Sequence, residues 1–194
     1  MQCCDLRLEL TKVMRILYER KYISSLSGNA SVREPGSSEF WITPSGVFKG
    51  ALKPSDIIKM SVDGRVLEGR LKPSSEWRFH AAIYRKRKDV NAVIHAHNPI
   101  TVALTMAGVA IDPVTAEGIL FLRKVKVIPY APPGSEELAK KVAEGIGDCN
   151  ALILEKHGVV AVGRNLTEAE AIIETLEDEA LVHFIIHVFH ALHS

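Results

Sequence analysis

The chain has 194 residues, of which 47% are hydrophobic and 24% charged, with a formal net charge of +1. That length suits one domain, residues 1–194, and the balance suits a packed core rather than a disordered chain. The near-neutral charge gives no electrostatic reason to expect nucleic acid or a membrane surface as partner. No apolar run is long enough to span a bilayer, and Met1-Gln2-Cys3-Cys4-Asp5 lacks the basic start and apolar stretch of a signal peptide, so a cytoplasmic protein is expected. Three cysteines, two of them adjacent, make a poor disulfide framework.

From the N-terminus, Leu6, Leu10, Val13, Met14 and Leu17 recur at helical spacing between Asp5 and Lys21. Short β-like runs follow at Ala30–Arg33, Phe40–Thr43 and Ile57–Ser61, separated by Gly, Pro, Ser and Asp. A helix is predicted from about Ser74-Ser75-Glu76 to Lys86, a buried strand over Val90–His95, and a helix from Pro99 through Met106. Val125–Pro129 reads as a strand, and Ser135 caps a helix that runs to Gly145. Ala151–Leu154 and Val159–Val162 read as strands joined by the turn Glu155-Lys156-His157-Gly158. Thr167-Glu168-Ala169-Glu170 has the form of a capping box and opens a last helix reaching nearly to Ser194. Alternating helices and strands, with several strands close enough to be hairpins, predict an α/β or α+β domain whose mixed sheet is covered by helices.

The sharpest chemical signal is His95-Ala96-His97. Residues i and i+2 of a strand share a face, so both imidazoles converge on one point just where the strand gives way to Asn98-Pro99. His157 sits in a turn directly after another apolar strand. Three neutral imidazoles with an open fourth position describe a catalytic zinc site. His183, His187, His190 and His193 fall on the last helix; His183 and His187 are an i, i+4 pair, but no acid stands with them and they read as a semi-exposed polar stripe. His80 lies inside a helix and reads as a packing or hydrogen-bonding residue.

Three clusters of small residues offer hydroxyls, an amide and open backbone N–H groups: Ser27-Gly28-Asn29, Thr43-Pro44-Ser45-Gly46 and Ser74-Ser75. Each taken alone is an ordinary turn or cap. Ser74-Ser75 also stands at a predicted helix N-terminus, where orphan N–H groups favour a phosphate. Glu76 follows; it is either a complement to the helix dipole or, if it faces the metal, a proton shuttle, and spacing does not decide.

In their order along the chain, Ser-Gly-Asn-Ala-Ser-Val-Arg (27–33), Thr-Pro-Ser-Gly (43–46), Ser-Ser-Glu-Trp-Arg-Phe-His (74–80), His-x-His (95–97) and His-Gly (157–158) together resemble the class II aldolase/adducin head family over nearly the whole chain. The resemblance implies one mixed, mainly antiparallel sheet between helical layers, and a homotetramer with active sites at subunit interfaces. It carries zinc, or another divalent metal, onto His95, His97 and His157. It carries a phosphate cradle onto Gly28, Asn29, Ser45, Gly46, Ser74 and Ser75, and the acid–base role onto Glu76. The implied reaction is reversible cleavage of a ketose 1-phosphate such as L-fuculose 1-phosphate, through a metal-stabilised enediolate, to dihydroxyacetone phosphate and L-lactaldehyde. Where the family's fuculose enzymes carry a tyrosine, this chain has Thr115-Ala116-Glu117-Gly118, and Glu117 is either a second acid–base group or a strand-end carboxylate. The chain also stops at Ser194, short of the tail that closes over the site in some relatives. Sugar-phosphate 4-epimerases and methylthioribulose-1-phosphate dehydratases share the fold and are the alternative reactions. A non-catalytic adducin-like head is the alternative of another class, and the three histidines speak against it.

Overall fold

Asp5 caps the first helix by accepting the backbone N–H of Arg7 at 3.0 Å. Leu10, Val13, Met14 and Leu17 then recur on the buried side of α1 (Leu6–Glu19). The structure, a computed structural model, describes residues 5–193. Five further helices are α2 (Trp77–Lys86), α3 (Pro99–Met106), α4 (Ala116–Phe121), α5 (Glu136–Ile146) and α6 (Leu166–His193). The strands are β1 (Asn29–Val32), β2 (Glu39–Ile42), β3 (Ile58–Ser61), β4 (Val66–Glu68), β5 (Ala92–Ala96), β6 (Val125–Ile128), β7 (Ala151–Leu154) and β8 (Gly158–Gly163). They form one sheet in the order β4-β3-β2-β1-β5-β8-β7-β6. Every neighbouring pair is antiparallel except β6 and β7. The α/β class and the mixed, mainly antiparallel sheet expected from the sequence are both present.

Strand periodicity sorts the side chains into two cores. Ala92, Ile94 and Ala96 of β5 join Leu10, Met14 and Leu17 of α1 and Ile172, Ile173 and Leu176 of α6 on one face. Val93, on the other face, packs with Phe79, Ile83 and Tyr84 of α2 and with Leu138, Val142 and Ile146 of α5. The result is three layers, helix, sheet, helix. Asn29 pairs across the ladder with His95, and Ser31 with Val93. The alternation therefore sends Asn29, Ser31 and His95 to the α2 face, and this places the polar residues of the site.

Two buried carboxylates on α6 fix the shorter helices. Glu177 accepts the backbone N–H groups of Ile100 (2.8 Å) and Thr101 (3.1 Å) at the start of α3. Glu179 accepts those of Val114 (2.8 Å) and Thr115 (3.0 Å) ahead of α4. Ile100 and Thr101 are orphan donors of the α3 N-terminus and Val114 and Thr115 lead into that of α4, all satisfied from a distant element.

The structure departs from the sequence expectations in three places. β4 is an added strand: its three residues are all exposed and offer no burial alternation to read. α4 is an added helix: it has six residues with Gly118 inside, and Thr115 caps it through the Gly118 N–H. The capping box at the start of α6 is shifted: Asn165 Oδ1 accepts from Glu168 N–H at 2.9 Å, and Glu168 reaches back to the Arg164 N–H at 2.8 Å. Thr167 and Glu170 make no such pair, because the helix starts at Leu166. Among the described residues no helix is long and apolar enough to cross a membrane. Cys149 is buried and free, while Cys3 and Cys4 lie outside the described residues.

Candidate active site

The end of β5 and the turn after β7 meet because β8 pairs with both strands. Lys156 takes φ +58° in the tight turn Glu155-Lys156-His157, and His157 N–H closes it on the Leu154 carbonyl at 3.0 Å. Gly158 then lets β8 pass directly against the histidine strand. A Cβ there would collide with the Ala96 carbonyl oxygen and stand 2.9 Å from His97 Cδ2 and 3.0 Å from His95 Cε1. His95, His97 and His157 consequently each offer a ring nitrogen, all within 4.8 Å of one another. The rings meet edge to face, with centroids 4.8 Å apart for His95–His97 and 4.7 Å for His95–His157.

The hydrogen bonds settle the state of the central ring. His95 Nδ1 lies 2.8 Å from the Val159 carbonyl oxygen, which can only accept. Nδ1 therefore carries the proton, and Nε2 keeps its lone pair, 3.1 Å from His97 Nε2. Burial lowers the pKa of His95 and His97 to about 4, and that of His157 to about 4 with a further push from the His95 ring. All three rings are neutral at pH 7, the state in which an imidazole can bind a metal.

Glu76 closes the cluster. It is buried at the start of α2, with Oε2 3.3 Å from His95 Nε2 and Oε1 3.6 Å from His157 Nε2. Glu76 Oε1 and His157 Nδ1 are buried without any hydrogen-bond partner. A buried carboxylate facing three neutral imidazoles lacks a counter-charge, and orphaned polar atoms there are costly. A divalent cation supplies both the charge and the acceptor for the nitrogen lone pairs, so the residues fit a metal. His95, His97 and His157 would hold it.

The three small-residue clusters lie side by side. Thr43 N–H donates to the Ala30 carbonyl (3.1 Å), and Ala30 N–H donates to the Thr43 side-chain hydroxyl (3.2 Å). Ser45 N–H reaches the Lys72 carbonyl (2.9 Å), and Ser74 N–H the Thr43 carbonyl (3.1 Å), around the isolated bridge between Pro44 and Pro73. Gly28 precedes β1 at φ +74°, where its missing Cβ admits Ile23. Gly28-Asn29, Ser45-Gly46 and Ser74-Ser75 thus border one region, and Asn29 ties it to the histidines by donating Nδ2–H to Glu76 Oε2 at 2.9 Å.

Glu117 stands apart. It lies in the first turn of α4, exposed, and its side chain makes no hydrogen bond or ion pair among the described residues. It is a helix residue rather than a strand-end carboxylate, and among the described residues no hydrogen bond or ion pair joins it to the histidine cluster. Two residues of the region escaped the sequence reading as site residues. His80 is fully buried and holds Asn29, with Nε2 2.6 Å from Asn29 Oδ1. Lys49 is buried with its ammonium on the Pro44 carbonyl, and burial lowers its pKa to about 8. An interior His at helical spacing signals no more than packing; a Lys in a Gly-flanked loop signals nothing.

Comparison with known proteins agrees with this geometry. The profile of the Class II Aldolase and Adducin N-terminal domain matches residues 8–184. An L-fuculose phosphate aldolase of Methanocaldococcus jannaschii is 41% identical over 172 residues, covering 89% of this chain and 92% of that protein. A 3-oxo-tetronate 4-phosphate decarboxylase of Escherichia coli is 34% identical over 187 residues, covering 94% of this chain and 87% of its own length. Among solved structures, an L-fuculose 1-phosphate aldolase superposes with a TM-score of 0.87 at 34% identity, covering 97% of this chain and 89% of the other. Profile, relatives and fold agree over nearly the whole length: the chain belongs to the class II aldolase and adducin N-terminal family and stands among that family's enzymes.

Proposed function

We propose that the protein is a zinc-dependent aldehyde-lyase that reversibly cleaves L-fuculose 1-phosphate, or a related ketose 1-phosphate, to dihydroxyacetone phosphate and L-lactaldehyde. The observation that carries this reading is the meeting of three neutral imidazoles with a buried carboxylate whose Oε1 has no partner. A divalent metal, when bound by His95, His97 and His157, supplies a Lewis acid for the oxygens of the ketose. Three nitrogen donors favour zinc over the oxygen-seeking ions.

The protein's own groups do the rest. Gly28, Asn29, Ser45, Gly46, Ser74 and Ser75 hold the substrate phosphate through N–H and O–H donors and so fix the sugar beside Glu76. In cleavage the C3–C4 bond breaks, its electron pair stays on C3, and the C4 hydroxyl loses its proton as the aldehyde forms. Glu76 delivers a proton to C3. In synthesis the same carboxylate removes that proton from dihydroxyacetone phosphate. We assign the C4 hydroxyl proton to Glu117, whose exposed side chain has no hydrogen-bond or ion-pair partner among the described residues; this requires the interface active sites of a homotetramer. The second half of α6 supports association, because Phe184, Ile185, Ile186, Val188, Phe189 and Leu192 are all exposed on it.

The same residues would serve a decarboxylation, which also leaves a carbanion beside a carbonyl, and the similarity to the 3-oxo-tetronate 4-phosphate decarboxylase keeps that substrate class in the test. The experiment is cleavage of L-fuculose 1-phosphate coupled to detection of dihydroxyacetone phosphate, with and without chelator, beside a 3-oxo acid phosphate. Chelator-sensitive release from the ketose supports the aldolase. Carbon dioxide from the 3-oxo acid alone moves the protein to decarboxylation, and neither product overturns the reading.

A further inference from the structure

Behind Glu76 a row of buried polar side chains runs from the sheet into α2. Glu76 Oε2 lies 2.9 Å from Asn29 Nδ2, Asn29 Oδ1 lies 2.6 Å from His80 Nε2, His80 Nδ1 lies 2.7 Å from Ser31 Oγ, and Ser31 Oγ lies 2.7 Å from Tyr84 Oη. Asn29 is 3% exposed and the other three after Glu76 are fully buried, so bulk water does not stand in for any of them.

The chemistry of each group fixes the direction of the next bond. An ionised carboxylate only accepts, so Asn29 turns its amide nitrogen to Glu76 and its oxygen to His80. That oxygen only accepts, so His80 carries its proton on Nε2. His80 Nδ1 is then an acceptor and takes the Ser31 hydroxyl proton. With the Ser31 proton spent on His80, Ser31 Oγ accepts in turn from the Tyr84 hydroxyl at 2.7 Å, a closer partner for that hydroxyl than its other acceptor, the Asn91 carbonyl at 3.4 Å. The row has one polarity along its whole length, and such fully satisfied buried networks hold their members in one arrangement.

We infer that His80 is a positioning residue for the proton transfer by Glu76, a reading that rests on the function proposed above. By donating Nε2–H to Asn29 Oδ1, it prevents the Asn29 amide from turning over. Asn29 then grips Oε2 and leaves Oε1, the oxygen without a partner, as the one that moves the proton. Asn29 Nδ2 carries a second N–H for the substrate phosphate, so one amide holds the phosphate and the carboxylate in fixed relation. Without the His80 donor the amide is free to present its oxygen to the carboxylate, and Glu76 loses its hold.

The test compares substitutions that keep or lose the donor. Gln is long enough to put an amide N–H where His80 Nε2 stands; Asn reaches only the Nδ1 position. Exchange of the C3 hydrogen of dihydroxyacetone phosphate with solvent deuterium is measured in the zinc-loaded protein. His80→Asn should slow the exchange about 10- to 100-fold, with zinc content unchanged and KM altered less than about threefold. His80→Gln should recover most of the rate. Equal rates in the two variants, or a loss confined to KM or to zinc content, would overturn the inference. Nitrogen NMR of the unaltered, metal-free protein provides an arm that needs no activity: His80 should be the Nε2–H tautomer, and an Nδ1–H ring sinks the inference. If the unaltered protein exchanges no proton, the proposed function falls by itself, and the NMR arm still decides the direction of the row.

Discussion

Among the described residues two groups of histidines stand out, and only one brings its ring nitrogens close enough together to hold a metal. His95, His97 and His157 come from two strand ends and converge, with His95 Nδ1 spent on a backbone carbonyl and Nε2 left free beside its neighbours. His183, His187 and His193 lie on α6, and their rings are spent on backbone carbonyls: His183 on Asp112 (2.7 Å), His187 on His183 (2.8 Å) and His193 on Phe189 (2.8 Å). The i, i+4 spacing of His183 and His187 brings the rings only to 6.5 Å between centroids. Burial separates the groups further. The strand-end rings are held neutral by desolvation, while those of α6 face solvent. A helix carries its own carbonyls past every exposed imidazole, whereas a strand end offers a face with its backbone already paired.

Substitutions that break this contrast have graded effects. Glu76→Gln keeps the three histidines and removes the oxygen proposed to move the proton, so hydrogen exchange into dihydroxyacetone phosphate should fall by about 10²- to 10⁴-fold at unchanged metal content; undiminished exchange would remove Glu76 from the proposed mechanism. Gly158→Ala drives a methyl group into the Ala96 carbonyl and the His97 ring. It should weaken metal affinity by at least about tenfold while the fold persists, since the strand that carries two ligands must shift. Unchanged affinity would show that β8 does not set the ligand geometry.

Lys49 tests whether the loop that carries Pro44 and Ser45 is strained by a buried charge. Its pKa falls from 10.5 to about 8 through burial, so between those values the unfolded chain binds a proton that the folded one has released. Stability should therefore rise with pH from about 8 toward 10.5, by on the order of 3 kcal/mol at most. Lys49→Met should flatten that rise in a denaturant series at several pH values; an unaltered slope would contradict the assignment. His183→Ala with His187→Ala should change least, by less than about 0.5 kcal/mol in stability, with no change in metal content.

The legible parts of the molecule were those in which one short segment carries the whole signal. His95-Ala96-His97 declared itself through strand period, and α1 through the spacing of Leu10, Val13, Met14 and Leu17. β4 and α4 were not legible because neither buries a patterned face. At the site, Glu76 was visible as an acid at a helix start, but its facing toward His95 and His157 depends on how α2 packs on the sheet. His80 looked like a packing residue because its partners, Asn29 and Ser31, lie 51 and 49 residues away in sequence. Glu117 shows the reverse: the family pattern drew attention to it, and the described residues of the chain give its side chain no partner.

The most direct test of the account is metal stoichiometry by equilibrium dialysis against zinc, on the unaltered protein and on His95→Ala, His157→Ala and the His183→Ala/His187→Ala pair. About one tightly held ion per chain is expected in the unaltered protein and in the α6 pair, and none in the two strand-end variants. Zinc retained by His95→Ala and His157→Ala, or lost from the α6 pair, would contradict it.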